Sequence, residues 1–339
     1  MNLAEFDFPF DPTLIAFEPV LPRHEARLLC FNQRSEALSH RQVVDLPDLL
    51  APGDLLVVND TKVLAARLSG RKQPTGTVVD VLFVKDRGDA VWDVMLKGHF
   101  RVGQTILFDE NASATVVQRD ERGTKIRVAS QVSVVDLLRL HGHMPLPPYI
   151  KRSAQPEDLV WYQTCFADRE GAIAAPTAGL HFTPQLMARL RARGVETAAV
   201  TLHVGPGTFK PVVAERIEEH QMGEEWFEVS AQTVSAILKT KHSGGRVVAV
   251  GTTVVRALES AAQRAGGLQA AVGESRLFIS PGFHFNVVDA LMTNFHLPRT
   301  TLLMLVSALA GVEMMRKAYA EAVNHRYRFY SYGDAMLIL

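Results

Sequence analysis

The chain is short of cysteine, of net charge and of long apolar runs, and each shortage removes a class of protein. Its 339 residues include two cysteines, Cys30 and Cys165. They are too few and too far apart for a zinc ribbon or a disulfide framework, so a reducing compartment is expected. The 36 Lys and Arg balance 36 Asp and Glu. No overall basic field draws in nucleic acid, and any contact with RNA phosphates rests on a local patch. The longest apolar run, Thr301 to Val312, falls short of the roughly 20 residues that span a bilayer and reads as a buried helix. The opening MNLAEFDFPFDP is acidic and lacks the basic and apolar regions of an export signal. A cytoplasmic protein with no membrane partner is expected. Also missing are a GxGxxG fingerprint, a Walker A loop and an HExxH helix. The pair His141 and His143 has no carboxylate cluster near it in sequence, so neither a metal nor a resident cofactor is expected.

What is present is an ordinary globular composition, 47% hydrophobic and 21% charged, in a chain long enough for about two domains. Asp54 to Asn59 (DLLVVN) follows Pro52-Gly53 and ends in the polar cluster Asn59-Asp60-Thr61-Lys62, a strand delivering polar groups at its carboxyl end. From Ala66 to about Ile150, short alternating runs separated by Gly, Asp and Asn turns predict an all-β module, a barrel. Near its end Ser133 caps a short helix, with Asp136 where a capping box would have Glu. Beyond it strands and helices alternate. Thr183 caps a helix with Pro184 at its first position and Gly194 beyond its end, and Glu196 to Val204 is a strand. A helix over about 231–242, a strand over 246–250 and a helix over about 254–264 follow. The expectation is an α/β fold in two domains. One is a split α/β domain, residues 1–65 and 151–339, with a mixed, barrel-like sheet. The other is an inserted β-barrel domain, residues 66–150.

Five segments at element boundaries carry more polar and flexible residues than packing asks for: 58–68, 174–183, 201–212, 250–259 and 293–309. Ligands of α/β sheets gather outside the carboxyl ends of strands, where such loops lie. RVVAVGTTVVRALE (246–259) is a strand, a glycine turn and a helix whose N-terminus suits a carboxylate or phosphate beside Thr252 and Thr253. Ordinary capping with an exposed Arg256 accounts for it equally well. His181, His203 and His296 stand in these loops and titrate near neutrality in water, although each read singly is first a hydrogen-bonded structural histidine. Asp60 and Asp334 sit in polar loops that Asx turns also explain. The tail HRYRFYSYGDAM (325–336) joins arginines to aromatics, a mixture that stacks on bases or packs as a terminal strand.

Taken in order, VNDTKVLAARL, GHMPLPPYI, YQTCFA, GAIAAPTAGLHFT, TLHVGPGTFKPV, VGTTVVRALE, the block from Leu277 to Leu309 and YRFYSYGDAM resemble the S-adenosylmethionine:tRNA ribosyltransferase-isomerase family of queuosine biosynthesis. The resemblance runs from about residue 54 to 336. It implies transfer and isomerisation of the ribosyl part of S-adenosylmethionine onto a 7-aminomethyl-7-deazaguanine at the tRNA wobble position, giving epoxyqueuosine, adenine and methionine. The partners implied are tRNA and S-adenosylmethionine, the latter a co-substrate. Two departures stand out. Met222-Gly223-Glu224-Glu225 replaces the family's Met-His-Ser-Glu, so only Glu225 carries over, and Lys210 in Gly207-Thr208-Phe209-Lys210-Pro211 replaces an arginine.

Such a transfer needs a group to take a proton and one to deliver a proton to departing adenine. The candidates are Asp60, His181, His203 and His296. Thr252, Thr253 and Arg256 are candidates to hold the methionine carboxylate, and Lys62 and Arg67 to meet the tRNA backbone. Phe329 and Tyr332 are candidates to stack a flipped base. Thr61, Thr177, Gly179, Asn294 and Asp334 complete the expected substrate contacts. Two other readings compete: a noncatalytic RNA-binding module, and a metal-dependent hydrolase built on the HGH stretch.

Overall fold

The computed structural model describes residues 1–121, 123–205, 214 and 216–339. Strands β1 (Arg27–Asn32) and β2 (Ala37–Gln42) form a hairpin, followed by the short helix α1 (Leu46–Leu49), β3 (Leu55–Asn59) and β4 (Thr61–Val63). Six strands come next: β5 (Arg67–Lys72), β6 (Thr77–Asp86), β7 (Val91–Leu96), β8 (Thr105–Leu107), β9 (Ser113–Asp120) and β10 (Gly123–Ala129). Helix α2 (Val134–His141) and β11 (Gly142–His143) lead back. Then come α3 (Asp158–Trp161), β12 (Arg169–Ala172), α4 (Pro184–Ala192), β13 (Glu196–Leu202), β14 (Glu225–Val229) and α5 (Ala231–His242). The chain continues through β15 (Val247–Val250), α6 (Thr252–Ala262), β16 (Ala271–Ser275) and β17 (Ala290–Asn294). It ends with α7 (Thr301–Ala310), α8 (Val312–Asn324) and β18 (Ala335–Ile338).

The main sheet is mixed and nine-stranded, in the order β16-β14-β13-β3-β15-β17-β18-β1-β2. Strands β13, β3, β15 and β17 run parallel to one another, whereas β13–β14 and β17–β18 are antiparallel. The centre of this sheet is covered on both sides, so its strands read as continuous apolar runs rather than alternating ones. Even so, residues alternate between two cores. Leu55 and Val57 face the layer that contains α5, α6, α7 and α8. Leu56 and Val58 face the layer that contains Leu186 and Leu190 of α4.

Strands β5 to β10 form an antiparallel sheet in the order β5-β6-β7-β10-β9-β8, and an additional β5–β8 pairing closes it into a six-stranded barrel. Its interior is packed with Trp92, Ile106, Val116 and Ile126 among others. Gly70 faces the closure: a Cβ there would lie 2.5 Å from the Ile106 side chain. Strand β11 pairs with β5, Gly142 opposite Leu68 and His143 opposite Arg67, so the chain enters and leaves the barrel at one ladder. As the sequence predicts, Ser133 caps α2, accepting from the Asp136 N–H. The run from Thr301 does not form one helix to Val312, however. Gly311 takes φ +84°, ends α7 and starts α8, because only glycine adopts this conformation without strain. Among the described residues no helix is long and apolar enough to cross a membrane.

Candidate active site

At the carboxyl ends of β15 and β17 the polypeptide changes from apolar strand to polar loop. Strand β15 is followed by Gly251, whose φ of +92° turns the chain into α6. No side chain caps that helix, so its N-terminal N–H groups remain available to a ligand. Strand β17 ends in Thr293 and Asn294, both buried. A cavity lies outside these ends, walled by Ala175, Pro176, Thr177, Ala178 and Val204, by Gly251 to Thr253, and by Thr293, Asn294, His296, Leu302, Tyr330 and Ser331. Its volume is about 30 Å³, room for about one water. One wall is strained: Tyr330 has φ +70°, a region that non-glycine side chains rarely occupy outside functional sites. Its backbone N–H donates to the Phe295 carbonyl, and its ring stacks on Tyr149 with centroids 3.7 Å apart. The Ser331 and Tyr149 hydroxyls are hydrogen-bonded to each other.

The polar groups here form a buried network. The Asn294 amide donates to His181 Nε2 at 3.1 Å and to the Tyr330 carbonyl at 3.2 Å. Its Oδ1 is buried and has no hydrogen-bond partner among the described residues, an omission that costs free energy unless a ligand supplies a donor. Burial pushes the His181 imidazole down to about 4, against the pull of Asp334, and the His296 imidazole down to about 3. Thr293 Oγ1 lies 2.9 Å from His296 Nε2, and the Tyr319 hydroxyl accepts from the His296 N–H. Both rings are therefore neutral near pH 7, and act as hydrogen-bond partners rather than as strong bases.

Of the residues singled out in the sequence, Thr177, Thr252, Thr253, Asn294 and His296 line the cavity together, and His181 stands directly behind Asn294. Asp60 does not join them. Strand alternation turns it the other way, into a shallow depression with Arg169, Thr201 and Glu228, where it accepts from the Thr201 hydroxyl at 2.6 Å. Burial raises its pKa, opposed by that hydrogen bond and by Arg169. His203 is also elsewhere: its Nδ1 is 2.8 Å from the Thr61 hydroxyl, and its ring stacks on Trp226. Burial, with Arg169, holds its pKa down. Gly171 leaves room for that ring, since a Cβ there would approach His203 Nε2 to 2.6 Å.

Five of the residues singled out are engaged in contacts within the protein. Arg256 is buried, pairs with Glu225 and donates from Nε to the Leu277 carbonyl; its Nη2 has no hydrogen-bond partner among the described residues, and it does not line the cavity. Glu225 also accepts from the Gly205 N–H. Asp334 is clamped by Arg27, which donates to it from backbone and guanidinium, and by the Arg328 N–H, which leaves a substrate no access. Phe329 is wholly enclosed among Phe10, Phe295 and Tyr319. Tyr332 is buried with its hydroxyl donating to Asp158. Gly179 is a packing residue: a Cβ there would meet the Thr164 methyl at 2.9 Å. Lys62 pairs with Glu170 in an exposed position, and Arg67 pairs with Asp80. Gly207 to Pro211, with Lys210, lie outside the described residues.

Sequence reading missed Asn59, whose amide donates to the Thr253 hydroxyl at 3.2 Å and to the Leu202 carbonyl. It also missed Thr293, Tyr330 and Ser331. The available signal was alternation, since each lies next to a chosen residue or one away. A second cavity of about 200 Å³ separates the barrel from Pro145 to Pro148, with Leu82, Met95, Ile173, Arg67 and Lys97 on its walls. Ala174 lines this cavity and Ala175 the first, so the two flank one stretch of chain.

The chain is similar to known proteins over nearly its whole length. The family described as "Queuosine biosynthesis protein" matches residues 3–338. An S-adenosylmethionine:tRNA ribosyltransferase-isomerase of Azoarcus sp. strain BH72 is 49% identical over 340 residues, covering 100% of this chain and 97% of that protein. The one from Thermotoga maritima is 47% identical over 341 residues, covering 100% of both. A crystal structure of S-adenosylmethionine tRNA ribosyltransferase from Thermotoga maritima superposes with a TM-score of 0.58 at 37% identity, covering 99% of this chain and 100% of that one.

Proposed function

The chain belongs to the queuosine biosynthesis protein family, and on that premise we propose that it is an S-adenosylmethionine:tRNA ribosyltransferase-isomerase. It transfers and isomerises the ribosyl moiety of S-adenosylmethionine onto 7-aminomethyl-7-deazaguanine at the wobble position, forming epoxyqueuosine and releasing adenine and methionine. The observation that carries this reading is the convergence of five separate segments on one cavity that combines an uncapped helix N-terminus with the buried, unpartnered Asn294 Oδ1.

The α6 N-terminus, with Thr252 and Thr253, takes the methionine carboxylate, because backbone N–H groups and the helix dipole both favour an anion there. Asn294 Oδ1 accepts a hydrogen bond from the ribose or the adenine, and His181 fixes the amide that presents it. His296 and Thr293 form a second neutral donor–acceptor pair on the same wall. Asp60 and His203 face away from this cavity, so in this reading they hold the β3–β4 junction through Thr201 and Thr61 and do not exchange protons with the donor. A cavity of about 30 Å³ holds no nucleoside, so the donor enters by displacing side chains. Tyr330, the strained wall, is the residue that moves.

S-adenosylmethionine is consumed rather than retained, and a sulfonium leaves without a Lewis acid, so the transfer invokes no metal. The larger cavity takes the extruded base between apolar prolines and Met95, and Arg67 with nearby Lys62 meets the flanking phosphates. In this reading residues 66–150 form a domain inserted between residues 1–65 and 151–339, and the tRNA bridges the two. Incubation with S-adenosylmethionine and precursor-bearing tRNA, followed by mass analysis of the nucleosides, tests the proposal. Epoxyqueuosine together with equimolar free adenine and methionine is expected, and unchanged tRNA with no adenine released overturns it.

A further inference from the structure

Away from both cavities, the edge strand β2 meets the end of α8, and there three donor side chains converge. His40, Glu321 and His325 form, among the described residues, the one group of three His, Cys, Asp or Glu whose ligand atoms all lie within 4.8 Å of one another. We propose that these residues bind a divalent ion of the zinc class, through His40 Nε2, His325 Nδ1 and a Glu321 carboxylate oxygen.

The spacing carries the argument. His40 Nε2 is 3.1 Å and His325 Nδ1 is 3.2 Å from the same Glu321 oxygen. Ligands about 2.0–2.1 Å from a tetrahedral ion stand about 3.3 Å apart, so these two distances match edges of such a polyhedron, and the third pair, His40 and His325, lies within 4.8 Å. The supports are ordered. His40 is held opposite Leu29 in the β1–β2 ladder. Glu321 lies in the last turn of α8 and His325 is its C-cap, a separation of four residues that puts both on one helix face.

The other nitrogen of His40 is committed: its Nδ1 lies 2.8 Å from the hydroxyl of Tyr327, a residue 1% exposed. That is the outer-sphere partner that metal-binding imidazoles usually have: with an ion bound, Nδ1–H donates to the hydroxyl and Nε2, which donates to Glu321 without the ion, offers its lone pair. His325 Nδ1 is also 3.1 Å from the Glu321 carbonyl oxygen. Nδ1–H donates to that carbonyl when no ion is bound; on binding, the proton moves to Nε2 through solvent, so the ring stays neutral while Nδ1 ligates the ion. The His40, Glu321 and His325 side chains are 44%, 32% and 53% exposed, so an ion reaches them directly and water fills the fourth corner. The nearby Arg27 guanidinium, 4.1 Å from the Tyr327 ring centroid, is offset by Asp334. Two imidazoles and one carboxylate suit zinc, nickel or copper, whereas magnesium and calcium require oxygen ligands.

The experiment is calorimetric titration of the chelator-treated full chain with Zn2+, in parallel with His40→Gln, Glu321→Gln and the double variant His40→Gln/His325→Ala. Circular dichroism confirms that each is folded. The wild type is expected to bind one more equivalent of zinc than the double variant, to melt at a higher temperature in its presence, and to ignore Mg2+ at the same concentration. The single variants should weaken that equivalent at least 10-fold. Equal zinc stoichiometry and affinity in the wild type and the double variant, or no zinc binding by the wild type, overturns the proposal.

Discussion

The barrel and the main sheet bury their strands by different rules, and the difference points to where the chemistry lies. In the barrel, burial alternates: β5 and β7 present one residue inward and the next outward, and outward charges pair at the surface, as Arg67 does with Asp80 and Arg87 with Asp93. In the main sheet β3, β15, β17 and β18 are buried at every position, so a polar residue there has no solvent to turn to. Asn59, Thr293 and Asn294 are polar nonetheless. A buried polar side chain at a strand end is expensive unless something satisfies it, which makes these ends the informative part of the molecule.

Substitutions sharpen this contrast. The largest effect is expected in the barrel: Trp92→Ala should cost about 3–5 kcal/mol of stability by leaving a cavity, read by denaturant melts. Turnover per folded molecule should be preserved, and a parallel loss of turnover would break the contrast. Next is acid sensitivity in the other region. His181 and His296 titrate near 6.5 when unfolded but at about 4 and about 3 when folded. Between those values the unfolded chain binds more protons, so stability falls as pH drops from about 6.5 towards 4, by on the order of a few kcal/mol. Substitution of His296 by Gln should flatten that limb of the stability–pH curve, and no flattening would refute the assignment.

Third, Asn294→Ala should lower turnover about 100-fold, equivalent to about 2.7 kcal/mol, with the melting temperature shifted far less than by Trp92→Ala. Single-turnover assays on tRNA measure this. A loss of stability without loss of turnover would recast Asn294 as a packing residue. The smallest effect belongs to the exposed surface: Lys62→Ala should weaken tRNA binding by about 1 kcal/mol or less and reduce the salt slope by about one. Affinities measured at two salt concentrations decide it.

The sequence located loops better than it located side chains. The segments at 174–183, 250–259 and 293–309 do converge, because Gly251 and the polar strand ends are local signals. Phase within a segment was less legible. Asp60 was chosen where its neighbour Asn59 faces Thr253, and Phe329 and Tyr332 were chosen where Tyr330 and Ser331 line the cavity. In extended chain adjacent residues point to opposite sides, and which side is inward depends on partners far away in sequence. The same limit hid Glu225 behind Arg256. It also hid the triad of His40, Glu321 and His325, whose members lie 281 residues apart at closest approach to β2. The six-stranded barrel was legible because its alternation repeats over many short runs. The break at Gly311 was not, because the apolar run continues across it.

The ladder between β5 and β11 has an architectural corollary. Outgoing Leu68 and returning Gly142 are direct partners, so their Cα atoms stand about 5 Å apart. A chain severed at those rungs could be rejoined by a two-residue hairpin turn, with the barrel lifted out and no gap to bridge. The junction is a socket: the chain departs for the barrel and returns beside its own starting point, so the length of what lies between adds no span to be bridged.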